Sequence, residues 1–76
     1  MNKLIVLTSN ALRLQFGTDF QFQPQAEAFD KLLGHPDCPV QELQWAGEFE
    51  VADKTYYVGG TGPIHSVATQ IVMLEK

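Results

Sequence analysis

The strongest pattern in the sequence is the alternation of apolar and polar side chains over residues 41–60, QELQWAGEFEVADKTYYVGG. Successive strand side chains point to opposite faces, so this alternation predicts an antiparallel hairpin with one apolar and one polar face. We expect a turn centred on Asp53 and Lys54, which pairs Val51 with Tyr56. The apolar face then carries Leu43, Trp45, Phe49, Val51, Tyr56 and Val58. The face expected to meet solvent carries Glu42, Gln44, Glu48, Glu50 and Tyr57.

Further short strands are expected on either side of this hairpin. Residues 3–8 are apolar and β-branched, which is typical of a buried strand. Residues 20–23 alternate phenylalanine with glutamine and predict a brief strand. Residues 64–76 fit either a helical stripe or a strand. We favour the strand, because four consecutive apolar residues at 71–74 suit an element that is covered on both faces.

Residues 11–16 also have two interpretations. Leucine and phenylalanine alternate there with arginine and glutamine, which favours a half-buried strand after a turn. The alternative is a short helix that is capped by Ser9 and ends at Gly17.

One helix is predicted with greater clarity, between Pro24 and Gly34. Proline suits the first turn of a helix, and glycine commonly ends one. The apolar residues between them recur at helical spacing, at Ala26, Phe29, Leu32 and Leu33.

Together these elements predict a single α+β domain over residues 1–76. It has a mostly antiparallel sheet of about five to six short strands, packed against one helix. The predicted core consists of Leu4, Val6, Leu12, Leu14, Phe16, Phe29, Leu32, Leu33, Leu43, Trp45, Phe49, Val51, Tyr56, Val58, Val67 and Ile71.

Charge limits the partners that the chain can bind. The net charge is −4, and the five Lys and Arg residues are dispersed along the sequence, so direct nucleic-acid binding is not expected. A basic protein surface is the complementary partner. Only 18% of residues are charged, and glutamine is frequent, so like-charge repulsion is weak and we expect a homodimer.

The single cysteine, Cys38, cannot form an internal disulfide, which suits a reducing compartment. The apolar run at residues 4–7 is shorter than a signal-peptide core, and no run approaches the length of a membrane span. We therefore expect a cytoplasmic protein with no membrane association.

The polar hairpin face is the first candidate site. An aromatic ring surrounded by carboxylates can receive Arg or Lys from a partner through cation–π contacts and charge-assisted hydrogen bonds. The competing interpretation is a solvated strand face. The candidate partner-binding residues are Glu42, Glu48, Glu50 and Tyr57.

The glycine-rich stretch that follows the hairpin is the second candidate. Successive backbone amides in such a stretch can bind an anion or another small ligand. The lysine of a Walker loop and the spacing of a dinucleotide fingerprint are both missing, which favours an ordinary connection. The residues of this alternative site are Gly59, Gly60, Thr61, Gly62 and His65.

Catalytic and metal chemistry have weaker sequence support. His35 and Cys38 have half of a zinc-site spacing, but no second ligand pair follows. Ser66 beside His65 does not make a strand dyad, because neighbouring side chains point to opposite faces. We assign no catalytic residue, metal or cofactor, and an enzyme is the less favoured interpretation.

The sequence thus favours a small acidic, non-enzymatic protein-interaction module, such as an inhibitor or adaptor. Its composition is typical of small proteins that phages and mobile elements encode. The alternative is a domain that binds an anion or small molecule, which a pocket lined by Trp45, Tyr56 and His65 would favour.

Overall fold

The computed structural model describes residues 3–16, 22–63, 66 and 69–76. The elements within these residues are β1 (Leu4–Thr8), α1 (Ser9–Phe16), β2 (Gln23–Pro24), α2 (Ala26–Leu33), β3 (Trp45–Val51), β4 (Lys54–Gly60) and β5 (Gln70–Glu75). The five strands form one sheet in the order β1-β5-β4-β3-β2, and every neighbouring pair is antiparallel. The predicted α+β class and antiparallel sheet are confirmed.

β5 is an interior strand, which pairs with β1 on one side and β4 on the other. Ile71, Val72 and Met73 follow one another along it, and all three are fully buried. Because consecutive strand residues face opposite ways, both faces of the sheet are covered here. The preferred strand interpretation is confirmed for residues 70–75, whereas residues 64, 65, 67 and 68 lie outside the described part of the chain.

The two helices cover opposite faces of the sheet. α1 packs on what we call the aromatic face, where the buried residues are Leu12, Phe49, Val58, Ile71 and Met73. α2 packs on what we call the small-residue face, where they are Leu4, Ala28, Leu32, Ala46, Tyr57 and Val72. The predicted count of one helix is therefore wrong.

The strand prediction for residues 11–16 is wrong, because these residues form most of α1. The Thr8 hydroxyl accepts a hydrogen bond from the Ala11 backbone N–H at 3.2 Å, so Thr8 rather than Ser9 supplies the side-chain cap. Leu12 faces the sheet and is 1% exposed, whereas Leu14 is 79% exposed and leaves the predicted core. Alternation over six residues did not distinguish a strand from a short helix in which only one leucine faces inward.

The predicted core is confirmed in part for the described residues, and Val67 lies outside them. Six of its members are buried as expected: Leu4, Leu12, Leu32, Phe49, Val58 and Ile71. Val6 is wrong, because β1 is an edge strand and Val6 is 47% exposed.

The hairpin of β3 and β4 is present, with its turn shifted by one residue. Val51 pairs with Lys54, and the two turn residues Ala52 and Asp53 have φ values of 52° and 65°. Positive φ at both central positions is the signature of a type I′ turn, whose twist matches that of the strands. Compared with the predicted pairing of Val51 with Tyr56, the register shifts by two residues, which leaves the side chains of β3 and β4 on their predicted faces. The prediction for Leu43 is wrong, because this residue precedes β3 and packs on the small-residue face, opposite Trp45.

α2 confirms the predicted helix over Ala26–Leu33, although Pro24 belongs to β2 and not to the first helical turn. β2 is an edge strand, where proline is tolerated. The Gly34 backbone N–H donates to the Asp30 carbonyl at 2.9 Å and closes the helix. The predicted turn at 17–19 and the first half of the 20–23 strand lie outside the described residues.

Candidate functional site

Glu48 and Glu50 lie on the same face of β3, as the alternation predicts, and Glu48 is the direct cross-strand partner of Tyr57 on β4. Glu42 precedes β3 and is exposed in the connection from α2. The structure therefore brings three of the four predicted partner-binding residues together and leaves Glu42 off the strand.

The prediction that Tyr57 is exposed is wrong, because α2 covers the face that was expected to meet solvent. Tyr57 is 6% exposed and belongs to the buried cluster beneath α2. Its hydroxyl donates a hydrogen bond to Glu27 Oε1 on α2 at 3.5 Å. Tyr57 thus links β4 to α2 through this hydrogen bond, and it lies directly across from Glu48 on the neighbouring strand.

Lys76, which follows β5, completes this arrangement. Its ammonium group contacts the Glu48 carboxylate and lies 5.5 Å from the centre of the Tyr57 ring. Its backbone N–H donates to the Thr55 carbonyl at 2.8 Å. The hydrogen bond to Glu48 raises the pKa of Lys76, as do the charges of Glu48, Tyr57 and Glu27, and desolvation opposes them.

Glu48 and Lys76 line a pocket of about 400 Å³, which we call the acidic pocket. Its wall includes two carboxylates and one ammonium group, and the lining residues are Phe22, Gln23, Glu48, Phe49, Glu50, Thr55 and Lys76. The rings of Phe22 and Phe49 pack on the aromatic face, opposite the two carboxylates. Carboxylates at such a pocket suit a cationic side chain, whose charge meets the acid.

Sequence reasoning identified Glu48 and Glu50 but missed Phe22, Thr55 and Lys76. Lys76 is 28 positions from Glu48, and they meet because β5 pairs with β4 and β4 with β3. The register between β4 and β5 carries no local sequence signal, so this contact could be found only from the fold.

The glycine stretch is not the loop that the sequence predicted. Gly59 and Gly60 are buried inside β4, where they pair with β3 on one side and β5 on the other. The Thr61 backbone N–H donates to the Gln70 carbonyl at 3.2 Å. Three residues proposed to face an anion are therefore engaged within the sheet, and His65 lies outside the described residues.

Packing explains why these positions are glycine. A Cβ atom on Gly60 would lie 2.4 Å from Cζ2 of Trp45, whose ring lies across the strand over this glycine. The indole Nε1 of Trp45 donates to the Gly62 carbonyl at 2.8 Å, which holds the ring in place. On the opposite face, a Cβ on Gly59 would lie 2.8 Å from Cδ1 of Leu43.

The histidine and cysteine of the loop after α2 make local contacts. His35 is 8% exposed, and its Nδ1 accepts a hydrogen bond from the Asp37 backbone N–H at 3.0 Å. The Cys38 thiol donates to the Val40 carbonyl at 3.4 Å. Within residues 3–16, 22–63, 66 and 69–76, no three His, Cys, Asp or Glu side chains are grouped so that they could hold a metal ion.

Neither helix in the described part of the chain has the length and apolar character needed to cross a membrane. Comparison with protein-family models, characterised proteins and solved structures finds no match to this chain.

Proposed function

We propose that the protein is a small non-enzymatic interaction module, an inhibitor or adaptor, that binds a basic protein surface through the acidic pocket. The observation that supports this proposal is the placement of Glu48 and Glu50 on one strand face, where both line the same pocket. Tyr57 is buried across from Glu48 on the neighbouring strand, and Glu42 adds negative charge in the connection before β3.

An arginine or lysine side chain of a partner is the group that this chemistry recognises. Its charged end would form charge-assisted hydrogen bonds with the Glu48 or Glu50 carboxylate. The net charge of −4 adds a long-range attraction that increases the rate of encounter with a basic surface.

We also propose that the module forms a homodimer through the edge strand β1. Ile5 and Val6 are 40% and 47% exposed there, and a strand edge offers backbone groups for pairing with a second copy. Sedimentation at about 100 μM, well above weak-dimer dissociation constants, should show a species heavier than the 8.5 kDa chain. Val6→Lys should shift it towards monomer, and a wild-type monomer would exclude the dimer.

The reducing cytoplasm is the compartment that we propose for this activity, since Cys38 is an unpaired thiol.

Affinity capture from the native host tests the proposed interaction. The baits are the wild type, the Glu48→Gln/Glu50→Gln variant and the control Asp30→Asn/Asp37→Asn. The control also removes two negative charges, but from Asp30 in α2 and from Asp37 in the loop after it. We expect a basic protein that the wild type and control retain and the pocket variant loses. Equal retention by all three baits would place the interaction elsewhere on the surface.

A further inference from the structure

Two lysines form salt bridges along the same end of the sheet, and they differ in what surrounds them. Lys54 contacts Glu75 at 3.3 Å, with both side chains exposed, at 61% and 40%. Lys76 contacts Glu48, whose side chain is only 19% exposed. Lys76 also lies over the Tyr57 ring and lines the acidic pocket, so it alone of the two occupies the proposed binding site.

The position of Lys76 is the one that a partner's cation would take. Its ammonium group meets a carboxylate and an aromatic face together, which are the two interactions that recognise a basic side chain. Glu48 is partly shielded from water, so a counter-charge beside it is modestly favourable. Lys76 supplies that counter-charge in the free protein.

We propose that Lys76 is an internal competitor in the acidic pocket, which a partner's arginine or lysine displaces when it binds. This inference rests on the proposed function. Displacement exchanges one cation for another on Glu48, so the carboxylate is paired both before and after binding. It also exposes the upper face of Tyr57, which Lys76 covers, to the incoming side chain.

The contact is weak enough to be displaced. The Lys76 side chain is 48% exposed, and ion pairs with such access to water contribute little to stability. Removing the lysine charge should therefore strengthen binding of a cationic ligand by about 1.5- to fivefold, which corresponds to the usual range for one exposed ion pair.

The test compares Lys76→Met with Lys54→Met. Each variant removes one ammonium group and keeps an apolar stem, so both have the same net charge. A hexa-arginine peptide serves as the probe, and calorimetry at low salt gives its affinity for each protein. The difference between the two variants isolates the local effect of Lys76 from general attraction, and Lys76→Gln checks that the added methionine is not itself the cause.

We expect Lys76→Met and Lys76→Gln to bind the peptide about 1.5- to fivefold more tightly than Lys54→Met. Adding Glu48→Gln to Lys76→Met should remove the gain in affinity, because the protein then lacks the carboxylate that would bind an arginine of the peptide. Equal affinities in the Lys76 and Lys54 variants would overturn the inference and leave the proposed function standing. A peptide that binds neither the wild type nor any variant would overturn both.

Discussion

The two faces of the sheet differ in the side chains that pack on them, which are mainly aromatic on one face and smaller on the other. On the aromatic face, Phe49 contacts Phe16 edge to face at 5.4 Å and stacks on Tyr56 at 5.3 Å, while Phe22 stacks on Trp45 at 4.6 Å. On the small-residue face, Ala28 of α2 packs on Ala46 and Val72, and Gly59 receives the ends of two leucine side chains.

This difference separates two roles. Rings of fixed shape fill the aromatic face, so its packing tolerates little change. Small side chains let α2 approach the other face closely, and the polar groups of Glu27, Glu48 and Lys76 gather around Tyr57. The candidate site therefore lies at the edge of the small-residue face, which α2 covers, and there Tyr57 lies next to charged side chains.

The largest effect should come from α1, the helix on the aromatic face. Leu12→Ala should destabilise the fold by about 2–5 kcal/mol, because it empties a fully buried site. Leu14→Ala should change stability by less than about 0.5 kcal/mol, since this side chain is exposed. Urea unfolding of the two variants measures both values, and similar losses would restore the strand interpretation of residues 11–16.

The adjacent glycines of β4 compare the two faces directly. Gly60→Ala should cost about 2–4 kcal/mol, because the new methyl group displaces the Trp45 ring and its hydrogen bond to the Gly62 carbonyl. Gly59→Ala should cost less, about 1–2 kcal/mol, since the ends of two leucine side chains can shift while only the Trp45 carbonyl oxygen, 3.2 Å from the new methyl group, is fixed backbone. Thermal unfolding checks the order, and a larger loss for Gly59→Ala would reverse the comparison.

The turn between β3 and β4 contains a strained residue. Ala52 has a φ of 52°, which is unfavourable for a residue with a Cβ atom. Ala52→Gly should stabilise the protein by about 0.5–1 kcal/mol, because relief of strain exceeds the entropy that glycine adds to the unfolded chain. Ala26→Gly in α2 is the matched control and should be destabilising; a destabilised Ala52→Gly would mean that the turn is not of type I′.

The smallest effect concerns the polar end of the small-residue face. The hydrogen bond to Glu48 raises the pKa of Lys76, so its stabilising contribution is present at neutral pH and lost as pH rises through that raised pKa. The difference in Tm between the wild type and Lys76→Met should therefore be constant at neutral pH and shrink at alkaline pH. A difference that instead vanished on moving from neutral pH to pH about 5.5 would point to another titrating group.

The sequence was informative where a pattern was long. The hairpin, α2 and the buried β5 each follow from periodicity over several residues, and the faces of the hairpin survived a register error because strand periodicity is two. Residues 11–16 were too short for alternation to exclude a helix. The burial of Tyr57 could not be predicted from the pattern. A single helix covers only one face of the hairpin, and the second helix, α1, lies where the alternation favours a strand.

The candidate site was predictable only in part for a related reason. Glu48 and Glu50 are two positions apart, so local alternation placed them together. Lys76 and Phe22 reach the same pocket through strand pairing and through the packing around β2, which no local pattern specifies.

The central claim is that the acidic pocket is a binding surface and not part of the scaffold. The most direct test measures both the unfolding free energy and the salt-dependent affinity for the captured basic protein in Glu48→Gln/Glu50→Gln. For this variant we expect the unfolding free energy to change by less than about 1 kcal/mol per charge removed. We also expect weaker binding and a shallower dependence of the affinity on salt. Unchanged affinity at low salt, or a large loss of stability, would contradict it.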